Sequence, residues 1–585
     1  MCCVLSLVLV LCCIPADVVS SAAKFDWVGS WGTPAIEGGI ELLDFKDVIP
    51  SNSTIRTVIT PTLGGNKIRL KFSNEYGASA ITINETTVAY TGETDDIVDT
   101  DSITQVTFNG GQKSVKIAAG SEIYSDEISF KVTALKKISV SSYFKSTTTM
   151  YTTGLYGGTC YLASSLGNKT HDEDMTSVAT RLDFNASSIT YNTIPCLSRL
   201  DVYAQDAYCV SIIGDSTVTN DIYLMLAEKC INNGVTNIGF VMSGIIGNAL
   251  LRDGEGLLGR AYGVSLLERF KRDALDVAGC KFVIVKIGEN DILHPMLDSM
   301  QGVLPECSAT KVTTGYKTLA EQFKNTGVKV YLCTKTPYKG YTRDFLGGPD
   351  LTWTQAGEDK LLAINEWIED YCTRYGYSGY ISFDKMRDPK DSTKLYDHMT
   401  TDGIHFSEYG QIAAVDLIPE RAYGVNKELK DYADIVNIDP YVAPKVENTT
   451  AKTESTTKAE EQTTENGDNT AETTTSAQNT PAGNTNNSEP TTFNTGNLVI
   501  SAPENTTISD ANQVLIGDDY NNSGLIGSVD DDGNGIMQLI GFMLLAAIAI
   551  ALIAVASVML SKLSPARKSL GRASYNGRAK QKKRV

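Results

Sequence analysis

The chain has 585 residues, 42% of them hydrophobic and 21% charged, which is enough for two or three packed domains. Its 51 basic residues include nine in the last 25 positions, so the rest of the chain carries 42 basic against 69 acidic residues. An exterior this acidic argues against nucleic acid as a partner.

The first segment, residues 1–23, predicts a secretory signal peptide. An apolar run from Val4 to Pro15 is followed by small residues at 21–23, just before Lys24. An apolar stretch of this length with a small-residue ending is typical of a cleaved export signal. We therefore expect the mature chain to begin near residue 24.

Residues 24–200 predict an all-β domain of the sandwich or jelly-roll kind. Short alternating or apolar runs, such as "TIRTVIT", "NKIRLKFSN" and "KISVSSYF", are separated by turns rich in Gly, Asn and Asp. The turns recur at intervals of about ten residues, as expected for antiparallel strands in two packed sheets. No long helical pattern interrupts this region.

Residues 201–425 predict an α/β domain. The strand-like runs "YCVSII", "TNIGFVM", "KFVIVKI", "KVYLCTK" and "GYISF" alternate with helical stretches such as "TNDIYLMLAEKCINNG", "VSLLERFKRDALDVAG" and "GEDKLLAINEWIEDYCTRYG". Continuous apolar strands joined by amphipathic helices imply a parallel sheet covered on both faces. In such sheets the functional groups gather at the carboxyl ends of the strands.

The remainder predicts a stalk and a membrane anchor. Residues 426–535 form the expected stalk, because about a third of residues 447–495 are Thr and large apolar side chains are almost absent. Residues 536–560 are apolar enough for one transmembrane helix, about 37 Å long. The basic tail, residues 561–585, is expected to be cytoplasmic by the positive-inside rule. We therefore expect a single-pass type I protein of the cell membrane, with its folded part outside the cell.

Cysteine usage argues against a zinc site. Eight cysteines follow the predicted signal peptide, and none of them has CxxC spacing. Cys209, Cys280 and Cys333 lie in or beside apolar strand-like runs, where buried free thiols are expected. Disulfides stay open as an alternative, since pairing cannot be read from the sequence.

Polar residues cluster where four segments of the α/β region end. Asp215 and Ser216 follow the first strand, Gly247 follows the second, Asn290 follows the third, and Asp402 and His405 lie near the end of the region. A serine at a strand-to-helix turn is also a good helix N-cap, so Ser216 has two interpretations, cap or nucleophile. Four polar clusters at the ends of strands are more than capping requires.

Each of these residue types has a role in acyl transfer. A serine hydroxyl needs a base to take its proton, and histidine titrates near neutrality. His405 is the only one of the four histidines with an aspartate, Asp402, three residues earlier in a glycine-bearing loop. Such an aspartate can fix the tautomer of the imidazole. A backbone N–H beside a glycine, or the amide of Asn290, can stabilise the oxyanion, each by about 3 kcal/mol of barrier.

The ordered series Gly-Asp-Ser, Gly-Asn, Gly-x-Asn-Asp and Asp-x-x-His resembles the SGNH (GDSL) hydrolase family over residues 204–423. The resemblance implies a flavodoxin-like α/β/α fold and a serine esterase that needs no metal or cofactor. It implies Ser216 as the nucleophile, His405 as the base and Asp402 as its orienting partner. Gly247 and Asn290, with the N–H of Ser216, would form the oxyanion hole. Upstream, "WVGSWGTP" and "TPTLGGNKIRLKFSNEYG" are similar to the β-rich region of secreted bacterial members.

Several positions depart from the family pattern or leave alternatives. The Thr-Asn pair after the nucleophile, Thr219 and Asn220, is shifted by one residue, and Phe406 replaces the proline that usually follows the histidine. Gly244 competes with Gly247 as the glycine of the oxyanion hole. His294 is interpreted as a loop or surface residue without a role, although it follows Asp291 closely enough to line the pocket.

The sequence thus predicts a cell-surface serine ester hydrolase that removes small acyl groups, such as acetyl, from an extracellular polysaccharide. Lipid or lysophospholipid esters are the alternative substrates, since a fold does not fix a substrate. The alternative from another class is a surface glycan-binding protein whose α/β region is an inactive scaffold. The intact set of Ser216, Asn290, Asp402 and His405 argues against that alternative.

Overall fold

The computed structural model describes residues 24–38, 47–95, 97–175, 179–186, 189–254, 259–297, 307–341 and 353–442. The predicted signal peptide, the membrane helix, the basic tail and most of the stalk lie outside these residues. Among the helices that the structure describes, none is both long and apolar enough to cross a membrane.

The amino-terminal region is built from eighteen short strands within the described residues. Their bounds are β1 Phe25–Gly32, β2 Ile36–Glu37, β3 Asp47–Ile49, β4 Ser53–Ile59, β5 Lys67–Asn74, β6 Ile81–Ile83, β7 Glu85–Tyr90, β8 Thr104–Val106, β9 Val115–Ile117, β10 Ser121–Tyr124, β11 Ile138–Phe144, β12 Thr148–Met150, β13 Thr152–Leu155, β14 Gly158–Ala163, β15 Ala179–Arg181, β16 Asp183–Ala186, β17 Ile189–Pro195 and β18 Leu197–Gln205.

Two antiparallel sheets dominate this region, with strand orders β1-β18-β5-β10 and β15-β14-β4-β11-β7-β8. Alternation along β5 explains how the first sheet forms a core, since Ile68, Leu70 and Phe72 are buried between partly exposed basic residues. Ile55 and Val140 of the second sheet belong to the same hydrophobic cluster. The predicted β-rich region is therefore confirmed.

The carboxy-terminal region is an α/β fold whose elements complete the chain order. Their bounds are β19 Tyr208–Gly214, α1 Ile222–Asn232, β20 Ile238–Gly244, α2 Gly259–Tyr262, α3 Leu266–Phe270, β21 Cys280–Lys286, α4 Glu289–Leu297, α5 Ala309–Phe323, β22 Lys329–Cys333, α6 Gln355–Tyr371, β23 Gly379–Ile381, β24 Arg387–Asp388, β25 Asp391–Leu395, α7 Glu408–Leu417 and α8 Tyr432–Val436.

A five-stranded parallel sheet, in the order β20-β19-β21-β22-β23, forms the centre of this region. The strands are almost fully buried, as their continuous apolar runs predict. Two separate hydrophobic clusters lie against the sheet, one packed with α1 and α7 and the other with α3, α5 and α6. The parallel sheet predicted from the sequence is confirmed.

The β-rich and α/β regions share one compact unit, within Met1–Ser455. Val241 and Val277 of the α/β region belong to the hydrophobic cluster of the β-rich region. The N–H of Gly29 donates to the carbonyl of Ala278 (2.9 Å). The β-rich region extends through β18 to Gln205, and the α/β region begins with β19 at Tyr208. The two regions bury apolar surface against each other.

The stretch "VSLLERFKRDALDVAG", predicted as one amphipathic helix, has a different local structure. The α-helix α3 ends at Phe270, and a π-helical turn follows over Lys271–Leu275. Arg269 and Asp273 are both buried here and hydrogen-bonded to each other. Cys209, Cys230, Cys280, Cys307, Cys333 and Cys372 are free thiols, and all of them except Cys280 are buried.

Candidate active site

Ser216 lies at the carboxyl end of β19, in the first turn after the strand. A side chain at Gly214 would collide with the carbonyl of Lys286 on the neighbouring strand, so this position requires glycine. Asp215 accepts hydrogen bonds from the N–H (2.9 Å) and the hydroxyl (2.7 Å) of Thr217, which closes a 3-10 turn over Ser216–Val218. The capping side chain is therefore Asp215, and the cap interpretation of Ser216 is wrong.

His405 reaches Ser216 from a loop near the end of the α/β region. Its Nε2 atom lies 2.9 Å from the Oγ of Ser216, and its Nδ1 atom lies 2.6 Å from the Oδ2 of Asp402. The other carboxylate oxygen of Asp402 accepts the N–H groups of Ile404 (3.1 Å) and His405 (2.9 Å). Asp402 is thus both the turn residue and the acceptor that orients the imidazole.

The charge of Asp402 fits this position. Burial alone would raise the pKa of Asp402, but the hydrogen bond and charge of His405, with two backbone N–H groups, hold it below its usual value. The carboxylate is therefore ionised near neutrality and accepts the Nδ1–H of His405. This leaves Nε2 as the acceptor for the hydroxyl proton of Ser216.

Tyr341 supports the imidazole from the side. Its ring meets that of His405 edge to face, with the centroids 5.8 Å apart. Phe406, which stands where proline was expected, is buried and packs edge to face against Phe383. The departure at this position thus contributes an apolar contact and leaves the hydrogen bonds of His405 in place.

Two backbone N–H groups, those of Ser216 and Gly247, are available for an oxyanion. Gly247 is buried and has a φ of 63°. Within the described residues, neither its N–H nor that of Ser216 donates a hydrogen bond to another protein group. The competing Gly244 differs, since its N–H points at the Sδ of Met242 (3.2 Å). Gly247 therefore fits the donor role better than Gly244.

Asn290 contributes a third possible donor. Its side chain is 9% exposed, and its Nδ2 atom donates to the carbonyl of Asn248 (3.0 Å). An amide nitrogen has two hydrogens, and this bond uses one of them. This bond holds Asn290 against Asn248, the residue that follows Gly247. The two expected oxyanion donors, Gly247 and Asn290, therefore lie on segments that are hydrogen-bonded to each other.

Asp291 binds the backbone a few residues after Gly247. Its carboxylate accepts the N–H groups of Leu250 (2.8 Å) and Leu251 (3.0 Å). Burial raises the pKa of Asp291 to about 6, although these two hydrogen bonds oppose the rise. Arg252 donates to the carbonyl of Asn290 (3.0 Å) and ties the two segments together once more.

A buried cluster of charges, which the sequence reasoning missed, lies behind the site. Lys286 donates to Glu289, and Lys335 lies 3.7 Å from the same carboxylate. All three side chains are at most 2% exposed. Burial would raise the pKa of Glu289, but the two lysines lower it below its usual value. By contrast, burial and the nearby charge of Glu289 raise the pKa of Asp215 to about 7. The sequence does contain a sign of this cluster, since a lysine lies at or just after the end of each of two apolar strands, and a buried lysine needs an acidic partner.

Two of the other three histidines contact residues away from the site. His171 lies 3.4 Å from Glu85, and the Nε2 of His398 lies 2.6 Å from the carbonyl of Pro440. His294 belongs to α4. In the part of the chain that the structure describes, no group of three or more His, Cys, Asp or Glu side chains is arranged to hold a metal ion.

The site was compared with known proteins by sequence and by structure. Residues 212–418 match the family model described as GDSL-like Lipase/Acylhydrolase. This match confirms the resemblance seen over residues 204–423. No significant match was found among curated protein sequences.

Solved structures similar to the chain share little sequence with it. An acylhydrolase described as putative, from Bacteroides fragilis, has 17% identity and a TM-score of 0.28, covering 37% of this chain and 86% of its own. A GDSL-like lipase from Bacteroides thetaiotaomicron has 18% identity and a TM-score of 0.26, covering 37% and 87%. A variant of an acetyl xylan esterase from Geobacillus stearothermophilus has 14% identity and a TM-score of 0.26, covering 38% and 97%. At these values the functional argument rests on the family match and on the geometry of the site.

Proposed function

Since residues 212–418 form an ester hydrolase domain of the GDSL-like lipase/acylhydrolase type, we propose that Ser216 is its nucleophile. The observation that carries the proposal is the continuous hydrogen-bonded series from Ser216 through His405 to Asp402. A serine alone is a weak nucleophile, and a base within 2.9 Å removes that limitation. The ionised carboxylate stabilises the imidazolium that forms when His405 takes the proton.

The reaction proceeds in two steps. Ser216 attacks the ester carbonyl carbon while His405 takes its hydroxyl proton, and the negative charge on the carbonyl oxygen is stabilised by the N–H groups of Ser216 and Gly247 and by Asn290. Collapse of this intermediate breaks the bond to the alcohol, which leaves with the proton from His405. Water, activated by His405, then releases the acyl group from Ser216.

For the substrate, the proposal is a small acyl ester, such as an acetyl group on an extracellular polysaccharide. The predicted export signal, stalk and membrane helix support this substrate, because an enzyme held on the outer face of a cell membrane would meet extracellular polymers. A type I orientation with the catalytic region outside is part of the same proposal. Lipid esters are the competing substrates.

The test is hydrolysis of 4-nitrophenyl acetate, butyrate and octanoate, and release of acetate from acetylated xylan, by the full chain. Ser216→Ala is compared with Ser382→Ala, a control serine whose hydroxyl bonds Glu369 instead. We expect activity that is greatest on acetate, lost in Ser216→Ala and kept in Ser382→Ala. Highest activity on octanoate would favour lipid esters. No activity with a folded chain would contradict the proposed function and favour the glycan-binding alternative.

A further inference from the structure

Arg269 is a fully buried arginine that joins the ends of two neighbouring strands, β19 and β20, of the parallel sheet. Its side chain is 0% exposed. It donates to the carbonyl of Gly214 (2.7 Å), to the carbonyl of Ser243 (2.8 Å) and to the Oδ1 of Asn248 (3.0 Å). Gly214 ends β19 and Ser243 is the next-to-last residue of β20, so one rigid guanidinium fixes the spacing of these strands where the site begins.

Two of the three acceptors lie within two residues of a proposed oxyanion donor in the chain. Gly214 is two residues before Ser216, and Asn248 directly follows Gly247. The backbone carbonyl of Asn248 also receives the amide of Asn290 (3.0 Å). Arg269 therefore bonds, directly or through one residue, to the segments that carry all three proposed oxyanion donors.

The charge of Arg269 is compensated by Asp273, one turn further along the chain. The Nη1 of Arg269 lies 3.2 Å from the Oδ2 of Asp273. Burial would raise the pKa of Asp273, but Arg272 and Arg269 lower it below its usual value. The backbone carbonyl of Asp273 accepts a hydrogen bond from the hydroxyl of Ser243 (2.8 Å). Asp273 is therefore bound through its side chain to Arg269 and through its backbone to β20. The π-helical turn over Lys271–Leu275 contains Asp273.

Arg272 extends this series into the β-rich region. It binds Asp273 through two parallel hydrogen bonds, of 2.7 Å and 2.9 Å. Its other donors reach Glu75 (2.8 Å), the hydroxyl of Tyr76 (3.1 Å) and the carbonyl of Ala35 (3.2 Å). All three acceptors belong to the β-rich region, about 200 residues earlier in the chain.

From this geometry we propose that Arg269 is a positioning residue for ester hydrolysis, and that Asp273 and Arg272, with Glu75 of the β-rich region, hold it in place. The inference rests on the proposed function and adds to it a role for the β-rich region: that region supports the oxyanion site through a continuous ionic series. The series acts on the transition state, because oxyanion donors must be aimed before the charge forms. Substrate affinity depends on it much less.

The test compares the full chain with Glu75→Gln, Arg269→Lys and their double variant, using kcat and KM on 4-nitrophenyl acetate. Glu75→Gln should lower kcat about threefold to tenfold, and Arg269→Lys by ~100-fold, each with KM changed less than about twofold. The double variant should be no slower than Arg269→Lys alone, because Glu75 acts through Arg269. Restoring a carboxylate, as Glu75→Asp, should return part of the loss.

Glu122→Gln is the matched control. Glu122 is a partly buried acid of the same β-rich region that pairs with Lys71 and does not contact Arg272. Thermal unfolding of the variants separates loss of folding from loss of positioning. The inference is overturned if Glu75→Gln has the kcat of Glu122→Gln, or if the losses of Glu75→Gln and Arg269→Lys multiply in the double variant. If Arg269→Lys does not fold, the comparison of Glu75→Gln with Glu122→Gln decides alone.

Failure of this inference differs from failure of the proposed function. A wild-type chain without esterase activity, or a Ser216→Ala variant as active as wild type, contradicts the proposed function. A wild-type chain that needs Ser216 but is indifferent to Glu75 contradicts only the positioning series.

Discussion

The Nε2 atom of His405 lies 2.9 Å from the Oγ of Ser216, although 189 positions separate the two residues in the chain. The turn after β19 presents the serine, and the loop before α7 presents the histidine. The hydrogen bond from Nδ1 to Asp402 selects the tautomer in which Nε2 can accept a proton. Proton transfer from Ser216 therefore needs no rearrangement of either segment.

Asp402→Asn tests the orienting role of the carboxylate. The substitution keeps the shape of the side chain but removes the charge, so the imidazolium loses its partner and the wrong tautomer is favoured. We expect kcat to fall on the order of 10³–10⁴-fold, with KM changed little. Steady-state kinetics on 4-nitrophenyl acetate measure both constants. A kcat near that of wild type would mean that Asp402 acts only as the turn residue that accepts the N–H groups of Ile404 and His405.

Asn290→Ala tests the side-chain donor of the oxyanion site. Removal of one such donor should lower kcat about 10²–10³-fold, because the donor acts on charge that exists only in the transition state. Asn232→Ala is the control, since the amide of Asn232 caps an exposed carbonyl at the end of α1. Equal kcat values for the two variants would remove Asn290 from the mechanism.

Gly247→Ala tests the backbone donor. At a φ of 63° an alanine is strained, and its Cβ would collide with the ring of Tyr262. We expect a loss of about 1–3 kcal/mol in the free energy of unfolding and a fall in kcat of about tenfold or more, since the N–H of Gly247 would shift. Gly234→Ala is matched in φ but has open space around it, and should keep its kcat. Wild-type kinetics in Gly247→Ala would contradict the assignment.

Asp215 gives a prediction on pH. Burial and the nearby charge of Glu289 raise its folded-state pKa from 3.8 to about 7. The folded state therefore binds this proton more tightly than the unfolded state, and its contribution to stability is lost as the pH rises from about 4 to about 7. Urea unfolding of wild type and Asp215→Asn at about pH 5 and about pH 8 measures it. The variant should gain stability relative to wild type at the higher pH, and a pH-independent difference would contradict the assignment.

The sequence predicted the central sheet well because its strands are continuous apolar runs. The run "YCVSII" corresponds to β19, Tyr208–Gly214, and "KFVIVKI" to β21, Cys280–Lys286. The site residues were found for a different reason: acyl transfer requires a small set of residue types at the ends of strands, and their order along the chain is informative. The structure brings Ser216, His405 and Asp402 together as that order implies.

The features that the sequence did not predict depend on bonds between distant segments. Arg269 and Asp273 were placed on an ordinary amphipathic helix, because nothing in their spacing shows that both are buried and bound to the ends of strands. The buried position of Glu289 depends in the same way on Lys286 and Lys335, which come from two different strand ends. Periodicity describes one element at a time, so a charge satisfied by another element resembles a solvated charge.

The most direct test of the account is covalent labelling of the nucleophile with a fluorophosphonate, followed by mass spectrometry of the digested chain. The account predicts one phosphonyl adduct, on the peptide that contains Ser216. It also predicts that Ser216→Ala is not labelled and that His405→Ala is labelled far more slowly. Labelling of Ser216→Ala at the wild-type rate, or an adduct on another residue of the wild-type chain, would contradict the claim that His405 activates Ser216.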